Sequence, residues 1–142
     1  MKAIRTVLSG VIAVFGAFLA TTPATAHHSF AAEYDANRPI TLKGTINKML
    51  WSNPHAWLYV DVKGPDGSVK TWAIEFGGPN ALYRRGWRRI DLPVGQAVTV
   101  DGFLAKDGST TANAANVKLA DGRTLFAGSS EGGTPGAPRT TP

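Results

Sequence analysis

The chain has 142 residues, with 15 Lys and Arg, 10 Asp and Glu, three His and no Cys, and a formal net charge of +5. The lack of cysteine excludes thiolate metal sites, cysteine nucleophiles and disulfides, so stability must come from a packed core or a bound ligand. Lys2 and Arg5 supply two of those charges, and without them the chain carries +3, which does not by itself argue for nucleic acid.

Met1 to Arg5 forms a positive opening, and Val7 to Leu19 is an apolar run shorter than the ~20 residues of a membrane span. Ala24-Thr25-Ala26 has the small-x-small form of a leader-peptidase site. Residues 1–26 are therefore expected to be a signal peptide cut after Ala26, with export to the periplasm or the medium. The remaining 116 residues suffice for one domain and contain no further run apolar enough to span a bilayer.

Residues 27–40 show no clean period and read as an extended N-terminal segment, with a helical turn near Phe30 to Tyr34. Strand-like alternation begins at Thr41 and runs to Trp51. Leu42, Gly44 and Ile46 share a face, and Met49 and Trp51 continue out of phase, which predicts a bulge with Gly44 easing a bend. Ser52-Asn53-Pro54 breaks this strand. A second strand, Ala56 to Val62, and a third, Val69 to Phe76, are joined by Gly64-Pro65-Asp66-Gly67 as a hairpin. Pro79-Asn80 opens a short helix that Gly86 ends. Two more strands follow, Gln96 to Ala105 and about Thr111 to Leu119, with a short sixth from Arg123 to Phe126. Residues 127–142 are poor in charged and large apolar groups and are expected to be a disordered tail.

The expected fold is all-β with one short helix, in the order β-β-β-α-β-β. That is the order of a small OB-like five-stranded Greek-key barrel, here over residues 41–126. A generic small β-sandwich or a lipocalin-like fragment is the competing architecture.

Cleavage after Ala26 would make His27 the first residue, with an α-amine and an imidazole on one residue. Such nitrogens suit copper, nickel and zinc. His28 adds a second ring, and His55 leaves a Pro54-stiffened loop between Trp51 and Trp57. His27, His28 and His55 are thus the candidate metal ligands, set against an accidental, solvated His pair and a structural turn. Trp57 and Tyr59 alternate on one face of strand two, with Trp72 on the hairpin partner. Rings on such barrels stack on bases or sugars, although plain packing is the competing reading. Arg84, Arg85, Arg88 and Arg89 cluster with Tyr83 and Trp87 and suit carboxylates or phosphates, against a solvated helix end. Glu75 lies in an apolar run, where burial would make it a candidate base and exposure or pairing with an arginine would make it ordinary. Nucleophile-elbow, phosphate-loop and His-Glu-x-x-His signatures are absent, so no catalytic residue is assigned.

The chain resembles a family of small exported bacterial proteins classed only as a domain of unknown function. The resemblance covers about residues 26–130 and rests on Ala26-His27-His28-Ser29-Phe30, Leu42-Lys43-Gly44-Thr45 and Asn53-Pro54-His55-Ala56-Trp57. It also uses Pro79-Asn80-Ala81-Leu82, Arg85-Gly86-Trp87 and Lys106-Asp107-Gly108-Ser109. It implies export and a compact β-rich domain, and it supplies no activity, cofactor or catalytic residue.

The leading expectation is a non-enzymatic exported binding protein that takes a transition metal, copper first, at the histidine site. A module for a polyanion or oligosaccharide on the aromatic and arginine face is the second, and a copper-dependent oxidoreductase the third. The expected partners are a metal ion or an anionic small ligand, and export disfavours nucleic acid.

Overall fold

The computed structural model describes residues 30–128. The expected signal peptide (1–26), His27, His28 and the tail from residue 129 onward lie outside the described residues. Helix α1 (Phe30–Glu33) leads into strand β1 (Tyr34–Leu50), then β2 (Trp57–Lys63) and β3 (Val69–Glu75). Helix α2 (Pro79–Arg84) and a 3-10 turn (Arg89–Asp91) precede β4 (Ala97–Ala105), β5 (Thr111–Lys118) and β6 (Thr124–Phe126). The domain is thus mostly β, with the longer helix placed between β3 and β4 as expected. The helical turn expected near Phe30 to Tyr34 is the short helix α1.

The lead-in differs from expectation. β1 starts at Tyr34 rather than at Thr41. Tyr34 pairs with Ala105 and Pro39 with Phe103, so the stretch between them is a register irregularity on the edge of β4. Alternation is lost there because the segment follows its partner strand without burying one face. The chain is pinned at this point by rings: Phe30 packs 5.7 Å from Tyr34 and edge-on to Phe103 at 5.5 Å. The Lys106 amide also donates to the Glu33 carbonyl at 2.9 Å.

The out-of-phase pattern within β1 corresponds to a shift in its pairing with β2 between Ile46 and Lys48. A side chain at Gly44 would place its first carbon 2.3 Å from the Asp61 carbonyl oxygen, so this crossing needs glycine. β1 pairs antiparallel with β2 on one side and β4 on the other, β2 pairs antiparallel with β3, and β5 with both β4 and β6. β3 also pairs with β5 in parallel, at Ala73 to Thr111, Ile74 to Ala112 and Glu75 to Asn113.

The inward faces enclose one core of Leu42, Ile46, Leu58, Val60, Ile74, Phe76, Val100 and Val117, with Leu82 and Trp87 closing it. Trp87 is fully buried and its indole N–H donates to the Phe126 carbonyl at 2.9 Å, which satisfies its polar atom as burial requires. The expected tail begins two residues too early. Ala127 and Gly128 are buried, because the Ala127 amide donates to Ala115 and its carbonyl accepts from Gly77. Backbone pairing orders residues here that composition assigns to a tail.

Candidate functional site

Asn53-Pro54 is a cis peptide in the loop between β1 and β2, and His55 follows it. The Ser52 hydroxyl donates to the His55 carbonyl at 2.9 Å, and the Ala56 amide and carbonyl bond to Gly77 and Phe76. This stapling fixes the His55 backbone against the end of β3. Its imidazole Nδ1 contacts Oε1 of Glu75, the last residue of β3. The Tyr34 hydroxyl donates to Oε2 of the same carboxylate.

Glu75 therefore neither faces solvent nor pairs with an arginine, the two ordinary outcomes expected for it. It is 5 % exposed and links a histidine to a tyrosine. The backbone explains its burial: Glu75 lies between Trp57 on β2 and Asn113 on β5, and Tyr34 covers the remaining side. No buried side-chain polar atom among the described residues lacks a partner. Burial raises the Tyr34 phenol far above its usual range, and the hydrogen bond to Glu75 and that carboxylate's charge push the same way.

A carboxylate only accepts hydrogen bonds, so Nδ1 of His55 carries a proton in this contact, and in the neutral ring Nε2 is then the nitrogen with the lone pair. The His55 side chain is 21 % exposed, and that lone pair is the chemically useful one. A histidine whose second nitrogen is fixed by a carboxylate is the usual arrangement behind a metal-bound imidazole. Beside this chain of contacts runs a groove of about 420 Å³, lined by Glu33, Tyr34, Trp57, Lys106, Asp107 and Thr111 among others. No cluster of three or more His, Cys, Asp and Glu side chains suited to a metal occurs among the described residues.

The expected aromatic face is divided. Trp57 and Tyr59 are half-buried on one side of the hairpin. Trp72 pairs directly with Val60 and so points to the core side, where it packs against the buried cluster. The arginines divide as well. Arg85 donates to the Gly128 carbonyl, with its guanidinium 4.7 Å from the Phe126 ring centre. Arg84, Arg88 and Arg89 stay exposed. Arg88 and Arg89 lie over Tyr83 and Trp51, which stack on each other at 5.5 Å. Sequence reasoning assigned no role to Tyr34 or to the Trp51–Tyr83 stack. Nothing in the local pattern marks Tyr34, which precedes the first clear alternation, and the pairing of Trp51 with Tyr83 joins segments far apart in the chain. Glu75 carried one usable signal, a single acid between Ile74 and Phe76.

Fold and site together define a small β-rich domain with a His–Glu–Tyr chain centred on a buried carboxylate. A family profile described as "Family of unknown function (DUF6152)" matches residues 17–114, and the chain belongs to that family. A comparison with curated proteins finds no match. Among solved structures, the dimeric N-terminal domain of the PriB protein from Thermoanaerobacter tencongensis aligns with 17% identity and a TM-score of 0.40. That alignment covers 59% of this chain and 97% of the other. No helix among the described residues is long and apolar enough to cross a membrane.

Proposed function

We propose that this is a periplasmic or secreted binding protein whose OB-like five-stranded barrel holds a transition-metal ion through His27, His28 and His55. Copper is the first choice, because nitrogen donors favour it among the divalent first-row metals. The barrel reading is supported by the ring of pairings β1–β2–β3–β5–β4–β1, with the helix α2 between β3 and β4 and β6 added outside the ring.

The observation that carries the metal reading is the contact between His55 Nδ1 and the buried Glu75. It orients the ring through Nδ1 and leaves Nε2 of the neutral imidazole as the donor. Chain reach is compatible with the other two ligands. Phe30 packs on the Tyr34 ring, and Tyr34 touches Glu75. His28 and His27 lie two and three residues before Phe30, a span of at most ~7 and ~11 Å at up to ~3.6 Å per residue. The protein would act as a metal chaperone, buffer or sensor accessory.

The test is copper titration of the chain that begins at His27. A His27→Ala/His28→Ala double variant and a His55→Ala variant are each expected to bind at least tenfold more weakly. Unchanged affinity in the double variant refutes the reading.

A further inference from the structure

The stretch from Arg84 to Gly95 carries a second feature that the metal site does not use. Arg84, Arg88 and Arg89 are exposed, and no carboxylate pairs with them among the described residues. Two of them are nevertheless held in place. Arg88 Nη1 donates to the carbonyls of Trp87 at 2.7 Å and Tyr83 at 3.1 Å, and its guanidinium lies 5.9 Å from the Tyr83 ring centre. Arg89 Nε donates to the Tyr83 hydroxyl at 3.3 Å, with its guanidinium 5.6 Å from the Trp51 ring centre.

Asp91 is the one acid in this stretch, and its carboxylate is already engaged. It is buried, accepts from Arg123 Nη2 at 2.7 Å, and accepts from the Arg88 amide at 2.6 Å. The same stretch of chain exposes two bare aliphatic side chains, Ile90 at 85% and Val94 at 71%. Single exposed apolar residues are commonplace. Here they follow Arg89 within five residues of chain, and the guanidinium groups of Arg88 and Arg89 are held in place, are paired with no carboxylate among the described residues and still have donors to offer.

Ordered arginines suit phosphate oxygens through their planar fork of donors. Aliphatic side chains beside them suit the boundary between headgroups and acyl chains. A second copy of the chain would bring like charges together. An acidic protein surface would answer the charge and leave Ile90 and Val94 without a role. We propose that Arg84, Arg88, Arg89, Ile90 and Val94 form a docking face for a bilayer surface containing anionic phospholipid. The inference is independent of the metal reading.

The experiment is co-sedimentation of the chain beginning at His27, which lacks the apolar Val7–Leu19 run. The vesicles are phosphatidylcholine alone, or equal parts phosphatidylglycerol and phosphatidylcholine. Binding is expected to the mixed vesicles and to be much weaker to the neutral ones. Arg88→Ala/Arg89→Ala should weaken it about 30-fold, from about 1 kcal/mol per arginine near an anionic surface. Arg84→Ala, at an exposed helix end, should weaken it about fivefold on the same basis and guards against misfolding of the double variant. Ile90→Asp should weaken it and Ile90→Leu should not. Equal binding to both vesicles, binding to neither, or parent-like binding by the arginine variants overturns the proposal. So does inorganic phosphate that saturates the protein while Ile90→Asp binds vesicles like the parent, because that describes a site for free phosphate.

Discussion

His55 and Glu75 meet across the open end of the β2–β3 hairpin, imidazole Nδ1 against a carboxylate that is 5% exposed. The other oxygen of that carboxylate takes the Tyr34 hydroxyl. One buried acid thus fixes both a histidine tautomer and the start of β1.

Replacing this acid by its amide separates the two roles. In Glu75→Gln the amide oxygen still accepts from Tyr34, and the amide N–H₂ faces Nδ1 of His55. The neutral imidazole is then expected to carry its proton on Nε2, which loses the lone pair a metal would take. Copper affinity is expected to fall about 10- to 100-fold, the usual cost of removing a ligand's orienting partner. The thermal midpoint should move far less than in Glu75→Ala. Copper titration and imidazole nitrogen NMR check the pair of effects.

Tyr34→Phe removes a hydroxyl that satisfies a buried acceptor, and it is expected to destabilise the domain by about 1–3 kcal/mol at neutral pH. It should also change the alkaline limb. The folded-state pKa of Tyr34 is raised, chiefly by burial. The folded form therefore holds its proton more tightly than the unfolded chain, which titrates near the ordinary value of about 10. That contribution is complete below about pH 10 and declines above it. Urea unfolding from neutral pH to pH 11 should show a steeper alkaline loss in the parent than in Tyr34→Phe, and equal slopes would contradict this account.

Gly44→Ala puts a methyl carbon 2.3 Å from the Asp61 carbonyl oxygen and 2.6 Å from Val60. Backbone cannot yield there without disturbing the β1–β2 pairing. Overpacking of this kind costs about 1–3 kcal/mol or more, a drop of several degrees in the melting temperature. By contrast, alanine at Gly67 meets nothing within 4 Å, and only its positive φ of 83° opposes the change. Calorimetry of the two variants should rank Gly44→Ala as the more damaging.

Arg123→Ala should be costlier than its exposure implies. Its Nη2 donates to Asp91 at 2.7 Å, and the Asp91 side chain is only 6% exposed. Without Arg123 that carboxylate keeps only the Arg88 amide as partner. A measurable loss of stability is expected, against almost none for Lys118→Ala on an exposed strand end. Chemical denaturation of the two variants measures the contrast.

Much of the architecture could be read from local chemistry. The Gly-Pro-Asp-Gly turn and flanking alternation give the β2–β3 hairpin, and Pro79 with Gly86 brackets α2. The slip between Ile46 and Met49 announces the bulge. These signals are local, because turn residues and period-two burial act within a few positions. The N-terminal boundary was not readable in this way, since Tyr34 joins β1 by pairing with β4 some seventy residues later. The division of the aromatics was likewise hidden: Trp72 is sorted from Trp57 and Tyr59 by its register against Val60. The candidate site was half visible. His55 stood out by its loop, whereas Glu75 looked ordinary until the strands assembled.

Composition and period settled the mostly β character, the hairpin turns and the lack of any thiol chemistry, because short-range sterics and residue content suffice for these. Only assembly decided that Tyr34, His55 and Glu75 converge. Tyr34 and Glu75 are 41 positions apart. Strand register sets such a distance, and register is a property of the whole sheet rather than of any one segment.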